Sequence, residues 1–345
     1  MSEEQALTSR QRDILRWLVR EHVESGKPVG SKTLVERARL PVSSSTVRSE
    51  LAELEKRGLL TQPHTSAGRV PTERGYRLFA GELLERADPR PRPFLIDLSA
   101  QRSEVDSALQ ATSEQLAEAT RLLALVSAPP LETTTIRHVE VLLLQATVVV
   151  VVVITSTGGV TKHIVTFDAP VDPGIANWAR EFLGERTEGL SLGSNVLRQR
   201  LSDPELGSRE RAFLETIAPA FSHSAGEGQR LFVGGTAGGL DKAWAEEPNA
   251  YRRVLQMLER RAALLEILRD ALEPRRPFVR VGREFHEPSL RDVALVGASY
   301  GLANRTLGVV SLLGPLRMDY ALAIDSVRGA ARALSSFVEE VYSDN

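Results

Sequence analysis

The sequence predicts an α+β fold in which a helical N-terminal part precedes a larger body built on an antiparallel sheet. Residues 8–60 carry apolar side chains at helical spacing. Strand patterns follow in two groups, residues 136–167 and 278–313, with short turns inside each group. Short turns between strands favour antiparallel pairing. Helical pieces broken by Gly, Ser and Pro separate the groups, so we expect an inserted, mainly helical segment to interrupt the sheet.

The N-terminal elements follow the order of a helix-turn-helix. Residues 8–24 form a helix pattern and residues 26–30 break it. Ser31 can cap a short helix at residues 32–38, and residues 39–41 make a turn. A third helix should follow this turn.

The third helix is predicted between Val42 and Leu60. Its apolar stripe consists of Val47, Leu51 and Leu54. Ser43 or Ser44 can cap its first turn, and Gly58 can end it. The opposite face near the N-terminus carries small polar groups and one long cation, namely Ser44, Ser45, Arg48 and Ser49. Such a face suits the major groove of DNA, although an isolated helix of this kind is more often a solvated amphipathic helix.

A wing is predicted directly after the third helix. Residues 59–61 have the composition of a strand, residues 62–68 (QPHTSAG) are rich in turn residues, and Arg69-Val70 leads back. This arrangement puts one cation, Arg69, at the tip of the wing.

The rest of the chain alternates helix and strand patterns. Helices are expected at residues 72–86, 99–127, 175–183, 208–221, 248–272 and 318–342. Strands are expected at residues 136–144, 147–155, 160–167, 231–235, 278–285, 292–299 and 305–313. Three prolines between Asp88 and Pro93 predict an extended spacer at residues 88–98.

Two separate motifs resemble the heat-inducible transcription repressor family HrcA. They are residues 26–77, which contain PVGSKTL and QPHTSAGR-x-PT-x-x-GYR, and residues 314–320 (GPLRMDY). The chain departs from the family at Leu316, where a polar residue is usual. It also reads Val-Arg-Ser-Glu at residues 47–50 where Ile-Arg-Asn-Asp is more common.

The resemblance implies a domain organisation. It consists of a winged-helix domain at residues 1–87, a linker at 88–98, a GAF-like domain at 99–171 and 229–345, and an inserted dimerisation domain at 172–228. It also implies a homodimer that binds an inverted-repeat operator before chaperone genes, with the GroEL chaperonin promoting the active repressor. A ligand-sensing GAF-type regulator with a winged-helix output domain is the alternative.

Composition excludes several other classes. The chain has no cysteine, which excludes a disulfide framework and a thiolate metal site. The longest apolar run, Leu142 to Ile154, is too short for a membrane helix, and its six valines favour a buried strand. We therefore expect a cytoplasmic protein with no membrane contact, cofactor or metal. Residues 1–87 hold 15 Lys and Arg against 12 Asp and Glu, so a mildly basic head precedes an acidic body.

Three motifs suggest other chemistry. Residues 297–301 match the G-x-S-x-G nucleophile elbow, but no His follows them, so a strand end is the expected reading. Residues 234–239 are rich in Gly but lack the Lys-Ser/Thr of a phosphate loop. Arg317 and Asp319 could bind a polar ligand, or could position the start of the last helix.

The expected DNA contacts come from the predicted head. Donors at helix starts should meet phosphates, namely Ser31, Lys32, Thr33 and Thr46. Ser44 begins the exposed face of the third helix, and base contacts are expected from Ser45, Arg48 and Ser49. Arg69 should enter the minor groove or meet its phosphates, and His64 could meet a phosphate. No catalytic residue is expected, because no convergent set of titratable side chains is visible.

Overall fold

The computed structural model describes residues 7–39, 41–64, 67–86, 96–98, 105–129, 135–156, 160–221, 230–235, 244, 248–259, 277–303 and 305–343. They form three parts, which we call the head (residues 7–86), the body (residues 105–128 and 230–343) and the insert (residues 135–221). The predicted α+β fold class is confirmed, with a helical N-terminal domain and antiparallel sheets after it.

The elements alternate along the chain as follows. The helices are α1 (Ser9–Ser25), α2 (Ser31–Ala38), α3 (Ser44–Lys56), α4 (Glu73–Arg86), α5 (Val105–Thr120), α6 (Pro173–Thr187), α7 (Asn195–Leu201), α8 (Ser208–Ile217), α9 (Pro248–Glu259) and α10 (Tyr320–Ser343). The strands are β1 (Leu60–Thr61), β2 (Val70–Pro71), β3 (Leu123–Ser127), β4 (Ile136–Gln145), β5 (Val148–Thr155), β6 (Val160–Thr166), β7 (Leu231–Gly234), β8 (Phe278–Val281), β9 (Val293–Leu302) and β10 (Arg305–Pro315).

The head is a winged helix-turn-helix. Thr8 caps α1 through a capping box with Gln11, and Gly26 ends the helix in the left-handed conformation. The buried stripes of α1, α3 and α4 pack on one another, and they include Ile14, Leu18, Val47, Leu51, Leu54, Tyr76 and Phe79. β1 and β2 pair antiparallel and form the base of the wing. The predicted order of elements is therefore confirmed.

The body is built on a five-stranded antiparallel sheet with the order β7-β3-β10-β9-β8. Helices α5 and α10 cover one face, where Ala124 and Val126 are buried. Helix α9 covers the other face, where Leu123 and Leu125 are buried. The central strands are therefore apolar on both sides, which is typical of a sheet between two helical layers.

The predicted helix at residues 99–127 is wrong at its C-terminal end. Helix α5 stops at Thr120, Arg121 takes the left-handed conformation, and Leu123–Ser127 form β3. All five residues of β3 are buried, so their side chains carry no alternation that would distinguish a buried strand from a helix. Residues 99–104 lie outside the described residues, as do most of the predicted spacer and the predicted helix beyond Glu259.

The insert contains its own sheet, and this corrects the expected boundary at residue 172. Strands β4, β5 and β6 form a separate three-stranded meander, and its inner face packs on α6, α7 and α8. The first strand group predicted from the sequence therefore does not join the body sheet. The backbone N–H of Ala128 donates to the carbonyl of Arg230 (2.8 Å), so the two ends of the interrupting segment meet beside the β3–β7 pair.

Within the described residues, no helix is long and apolar enough to cross a membrane.

The G-x-S-x-G match lies inside β9, where Ser299 pairs with Val309 of β10. Gly297 lies against the ring of Phe278, and an added Cβ there would be 2.4 Å from a ring carbon. A nucleophile elbow needs a turn between a strand and a helix, so the expectation of an ordinary strand is confirmed.

Candidate nucleic-acid interface

The N-terminus of α3 presents a cluster of hydroxyl groups. The Oγ of Ser43 accepts from the backbone N–H of Thr46 (3.2 Å), and it lies 2.7 Å from the Oγ of Ser45 and 2.9 Å from the Oγ1 of Thr46. Ser43 is thus the cap, one of the two candidates that the sequence offered. Ser44 and Thr46 are half-buried, whereas Ser45 is exposed.

Arg48 and Ser49 complete the exposed face of α3. Both side chains are exposed, one turn after the hydroxyl cluster. Val47, Leu51 and Leu54 are buried in the head, so the rotation of α3 is determined by its apolar stripe. No ion pair joins Arg48 to another of the described residues. A cation without an internal partner, beside small polar groups, is what a helix needs in order to read base edges in the major groove.

The carboxylate of Glu50, the next residue of α3, contacts two side chains of α1. Its Oε2 accepts from the Nε2 of Gln11 (3.0 Å), and its Oε1 lies 3.7 Å from a guanidinium nitrogen of Arg10. This acid therefore joins two helices of the head. The contact holds this carboxylate, which adjoins the exposed face of α3, against α1.

Helix α2 differs from the prediction at its start. Gly30 occupies the cap position without a side-chain hydrogen bond, and Ser31 is the first helical residue. Ser31 is buried, which places its hydroxyl away from a ligand surface in this structure. Lys32 is exposed and Thr33 is half-buried. Of the three residues expected at this helix start, Lys32 has the exposure that a phosphate contact needs.

Arg69 lies at the base of the wing rather than at its tip, which corrects the sequence-based placement. Its backbone N–H and carbonyl each form a 2.9 Å hydrogen bond with Val29. Its Nε lies 3.0 Å from the Oε2 of Glu55 on α3, and its side chain is only 16% exposed. A Cβ on Gly68 would lie 2.4 Å from the carbonyl carbon of Val29, so a glycine is needed where the wing passes this close to the chain between α1 and α2.

His64 is the exposed residue of the wing among the predicted contacts. Its carbonyl accepts from the N–H of Ala67 (2.9 Å), and the amide of Gln62 donates to the carbonyl of Ala67 (2.8 Å). These bonds close the loop, while Thr65 and Ser66 lie outside the described residues. Of the two predicted wing contacts, the structure therefore exposes the imidazole of His64 and largely buries the guanidinium of Arg69.

Sequence reasoning missed Arg39. This residue ends α2 in the left-handed conformation (φ 48°, ψ 42°), directly before the chain enters α3, and its side chain is exposed. A non-glycine residue rarely adopts this conformation, and glycine is the usual choice at a helix end. The available signal was an arginine four residues before Ser43, the cap of a hydroxyl-rich helix start.

The chain matches known families over nearly its whole length. The family described as "HrcA protein C terminal domain" matches residues 106–324, and the "LexA DNA binding domain" matches residues 4–68. A protein named heat-inducible transcription repressor HrcA from Frankia casuarinae is 36% identical, covering 94% of this chain and 97% of its own. A protein of the same name from Nocardia farcinica is 35% identical, covering 95% of this chain and 96% of its own. Both are named as regulators of transcription rather than as enzymes.

A solved structure supports the fold. The crystal structure of a protein described as hypothetical superposes with a TM-score of 0.66 at 22% sequence identity, covering 97% of this chain and 100% of that chain. At this identity the similarity concerns the fold alone.

Proposed function

Because the chain belongs to the HrcA family of heat-inducible transcription repressors, we propose that it represses heat-shock chaperone genes by binding an inverted-repeat operator as a homodimer. A GroEL-type chaperonin promotes the active repressor. The protein acts in the cytoplasm, where its operator lies.

The exposed face of α3 carries the DNA-binding part of this proposal. Arg48 reads a base edge, with Ser45 and Ser49 beside it, because these side chains leave α3 on the side opposite its buried stripe. Lys32 and Arg39 contact phosphates on either side of the groove, since both are exposed cations at the ends of α2. His64 meets the backbone from the wing.

The outer face of the insert sheet supports the homodimer. One face of β4–β6 is buried on the helices, and the other carries exposed apolar side chains that include Leu142 (49% exposed), Val160 (63%) and Ile164 (61%). The cross-strand rows on this outer face are Leu142–Val150–Ile164, Glu140–Val152–Lys162 and His138–Ile154–Val160. Exposed apolar groups on both sides of the Glu140–Val152–Lys162 row form the kind of patch that marks a protein interface.

The charges on this face favour a second copy of the same chain as its occupant. Glu140 and Lys162 lie on the two outer strands in the row centred on Val152. A twofold axis parallel to β5, between two stacked faces, puts β4 of one protomer over β6 of its partner. Glu140 of one protomer then lies opposite Lys162 of its partner, and the apolar rows meet one another. Self-complementarity of this kind is what a twofold interface requires.

The same face accounts for a chaperonin partner. In a monomer it leaves apolar side chains in water, and its central strand contains Val148–Val153, an uncharged run of β-branched residues. Such a run aggregates when it is exposed in a partly folded chain. A chaperonin that binds this segment until the dimer forms would raise the amount of active repressor, and unfolded proteins that occupy the chaperonin under heat stress would lower it.

The experiment that tests operator binding uses the full chain. Duplexes are selected from a random DNA pool by the purified protein, then sequenced and titrated at several salt concentrations, with and without chaperonin. We expect an inverted repeat, tighter binding to it than to random DNA, and a larger active fraction with chaperonin. Selection of no inverted repeat would contradict the proposal.

The dimer interface is tested separately by sedimentation. Ile164→Asp puts a charge into the apolar row of the outer face and should convert the dimer to a monomer, because a buried unpaired charge opposes association. Val196→Asp is the matched control. Val196 is 48% exposed on α7, which lies on the helical side of the insert, so the dimer should persist. A dimer that survives Ile164→Asp places the contact elsewhere.

A further inference from the structure

The head packs against the body through a buried aromatic contact. The ring of Tyr320, at the start of α10, lies 6.0 Å from the ring of Tyr76 and 6.3 Å from the ring of Phe79, both on α4. All three rings are buried, and the apolar cores of head and body form one cluster. Burial raises the pKa of Tyr320 well above its ordinary value, so its hydroxyl stays protonated and donates to the carbonyl of Leu316 (2.9 Å).

Charged pairs surround this aromatic contact. The Nε of Arg77 lies 2.7 Å from the Oε1 of Glu284, and the Oε2 of Glu73 accepts from the backbone N–H of Arg283 (3.2 Å). The guanidinium Nε of Arg283 also lies 3.8 Å from the Oε2 of Glu73. The signs are crossed, because the head offers an acid and a base to a base and an acid of the body. Gly282 has φ 54°, and a Cβ there would lie 2.6 Å from the carboxylate of Glu73, so the two surfaces meet closely. An apolar centre with a polar rim is the usual anatomy of a specific interface.

The motif at residues 314–320 supplies further contacts between the head and the body. Arg317 reaches α1, where a guanidinium nitrogen lies 3.5 Å from the carbonyl of Val23 near the helix end. Leu316, which stands where the family usually has a polar residue, packs against the shared core. The Oδ1 of Asp319 accepts from the N–H of Leu322 (3.0 Å), so Asp319 positions the start of α10, one of the two readings of this motif.

We propose that residues 314–320 and helix α4 form a seat that holds the recognition helix α3 in one position relative to the body, so that the dimer selects the spacing between operator half-sites. This inference rests on the proposed function, because spacing matters only for a dimer on an inverted repeat. Tyr320, Arg317 and the crossed charges are positioning residues, and none of them touches DNA.

Spacing selection follows from the geometry of two linked heads. Recognition helices of a dimer enter successive major grooves only when their separation matches about one turn of DNA, or a multiple of it. A head joined to the body by its chain alone would accept several spacings at modest cost. A head seated on a buried contact offers one spacing, and every other spacing forces the dimer either to break the seat or to lose the second half-site.

The test reverses the charges of the seat. In Glu73→Arg/Arg77→Glu the head faces the body with like charges at both rim pairs. The matched control adds Arg283→Glu/Glu284→Arg, which restores opposite charges in the reversed order. Arg317→Ala with Arg317→Lys as its conservative partner forms a second pair. Thermal unfolding of each full-length variant identifies any that does not fold, and the remaining pair then decides the inference.

The first readout needs no DNA and no dimer. Because the chain has no cysteine, Glu36→Cys and Glu339→Cys introduce one spin label on the exposed side of α2 and one on α10. Labelled protein is diluted with unlabelled protein, so that each pair of labels reports one chain. We expect a single narrow distance in the parent, a broad distribution with reversed charges, and a narrow one again in the control. A broad distance distribution in the parent would contradict the proposed seat. So would a distribution that stays unchanged in both Glu73→Arg/Arg77→Glu and Arg317→Ala.

The second readout is spacing preference on DNA. The half-site selected by the parent is rebuilt as inverted repeats whose centres are about one, one and a half and two helical turns apart. The parent should lose about 100-fold in affinity when the spacing is half a turn wrong, because the avidity of the second head is lost. With reversed charges this preference should shrink to a few-fold, and the control should restore it.

Affinity for an isolated half-site should not change in any variant, because α3 is untouched. A loosened head that keeps the full spacing preference overturns the inference while leaving the proposed function intact. If the parent selects no inverted repeat, the proposed function fails, and the label distances still decide whether the head is seated.

Discussion

Replacing Arg69 by alanine should loosen the wing without removing a phosphate contact. In the structure Arg69 joins the wing to α3 through Glu55, at 3.0 Å, with the two side chains 16% and 33% exposed. A hydrogen bond to a charged group contributes about 1.5–3 kcal/mol when buried, and exposed ion pairs contribute about 0–1 kcal/mol. For this partly exposed pair we expect a coupling of about 1–2 kcal/mol.

Hydrogen exchange of backbone amides at the base of the wing measures this coupling free energy. The amides of Arg69 and Val29 form the 2.9 Å bridge at the base of the wing. A loss of about 1–2 kcal/mol corresponds to about 5- to 30-fold faster exchange of these two amides. Arg69→Ala, Glu55→Ala and the double variant form a double-mutant cycle, in which the double variant should exchange little faster than either single one.

DNA titration of the same three proteins decides between the two roles of Arg69. A positioning role predicts that Arg69→Ala and Glu55→Ala both weaken binding to operator and to random DNA, with an unchanged salt slope. A phosphate contact predicts instead that Arg69→Ala lowers the slope by about one unit. It also predicts that Glu55→Ala strengthens binding, because a carboxylate near DNA is removed. That second pattern would refute our reasoning.

Three further predictions concern the head and the insert. Arg48→Ala should cost about 1–3 kcal/mol per half-site on operator DNA and leave random DNA unaffected; equal losses on both would make Arg48 a phosphate contact. Arg39→Gly should raise the melting temperature, because it removes a left-handed arginine, yet weaken both DNA types and lower the salt slope by about one unit. Arg121→Gly is its control, with φ 58° in the body, and should raise the melting temperature alone; identical DNA binding by both variants would contradict a role for Arg39. Replacing residues 129–229 by Asn-Gly should join β3 to β7 as a hairpin, since Ala128 and Arg230 already share a hydrogen bond. The product should sediment as a folded monomer, and a stable dimer would place the interface in the head or body.

Deleting residues 172–228, the inserted domain that the resemblance implies, should leave an unstable protein for a physical reason. It removes α6, α7 and α8 but leaves β4–β6, whose inner face is buried on those helices. Val149, Val151 and Val153 would then face water. The sheet order gives the better boundaries, because it assigns these three strands to the insert.

Local signals in the sequence determined much of the head. The apolar stripe at Val47, Leu51 and Leu54, with Ser43 before it and Gly58 after it, predicts α3 and the direction of its exposed face. The faces of these helices depend on side chains three and four positions apart, which a sequence displays directly. The exposure of Ser45, Arg48 and Ser49 could therefore be predicted, and so could the meander β4–β6.

Only the tertiary structure decided which elements share a sheet and which charges are free. Residues 136–167 and 278–313 have similar strand patterns, yet they form separate sheets, because strand pairing depends on contacts between residues far apart in the chain. Arg48 and Arg69 are both isolated cations in the sequence, but Glu55 lies beside Arg69 and no described acid lies beside Arg48. Burial and ion pairing arise from this long-range packing, which leaves Arg48 exposed on α3 and pairs Arg69 with Glu55 at the base of the wing.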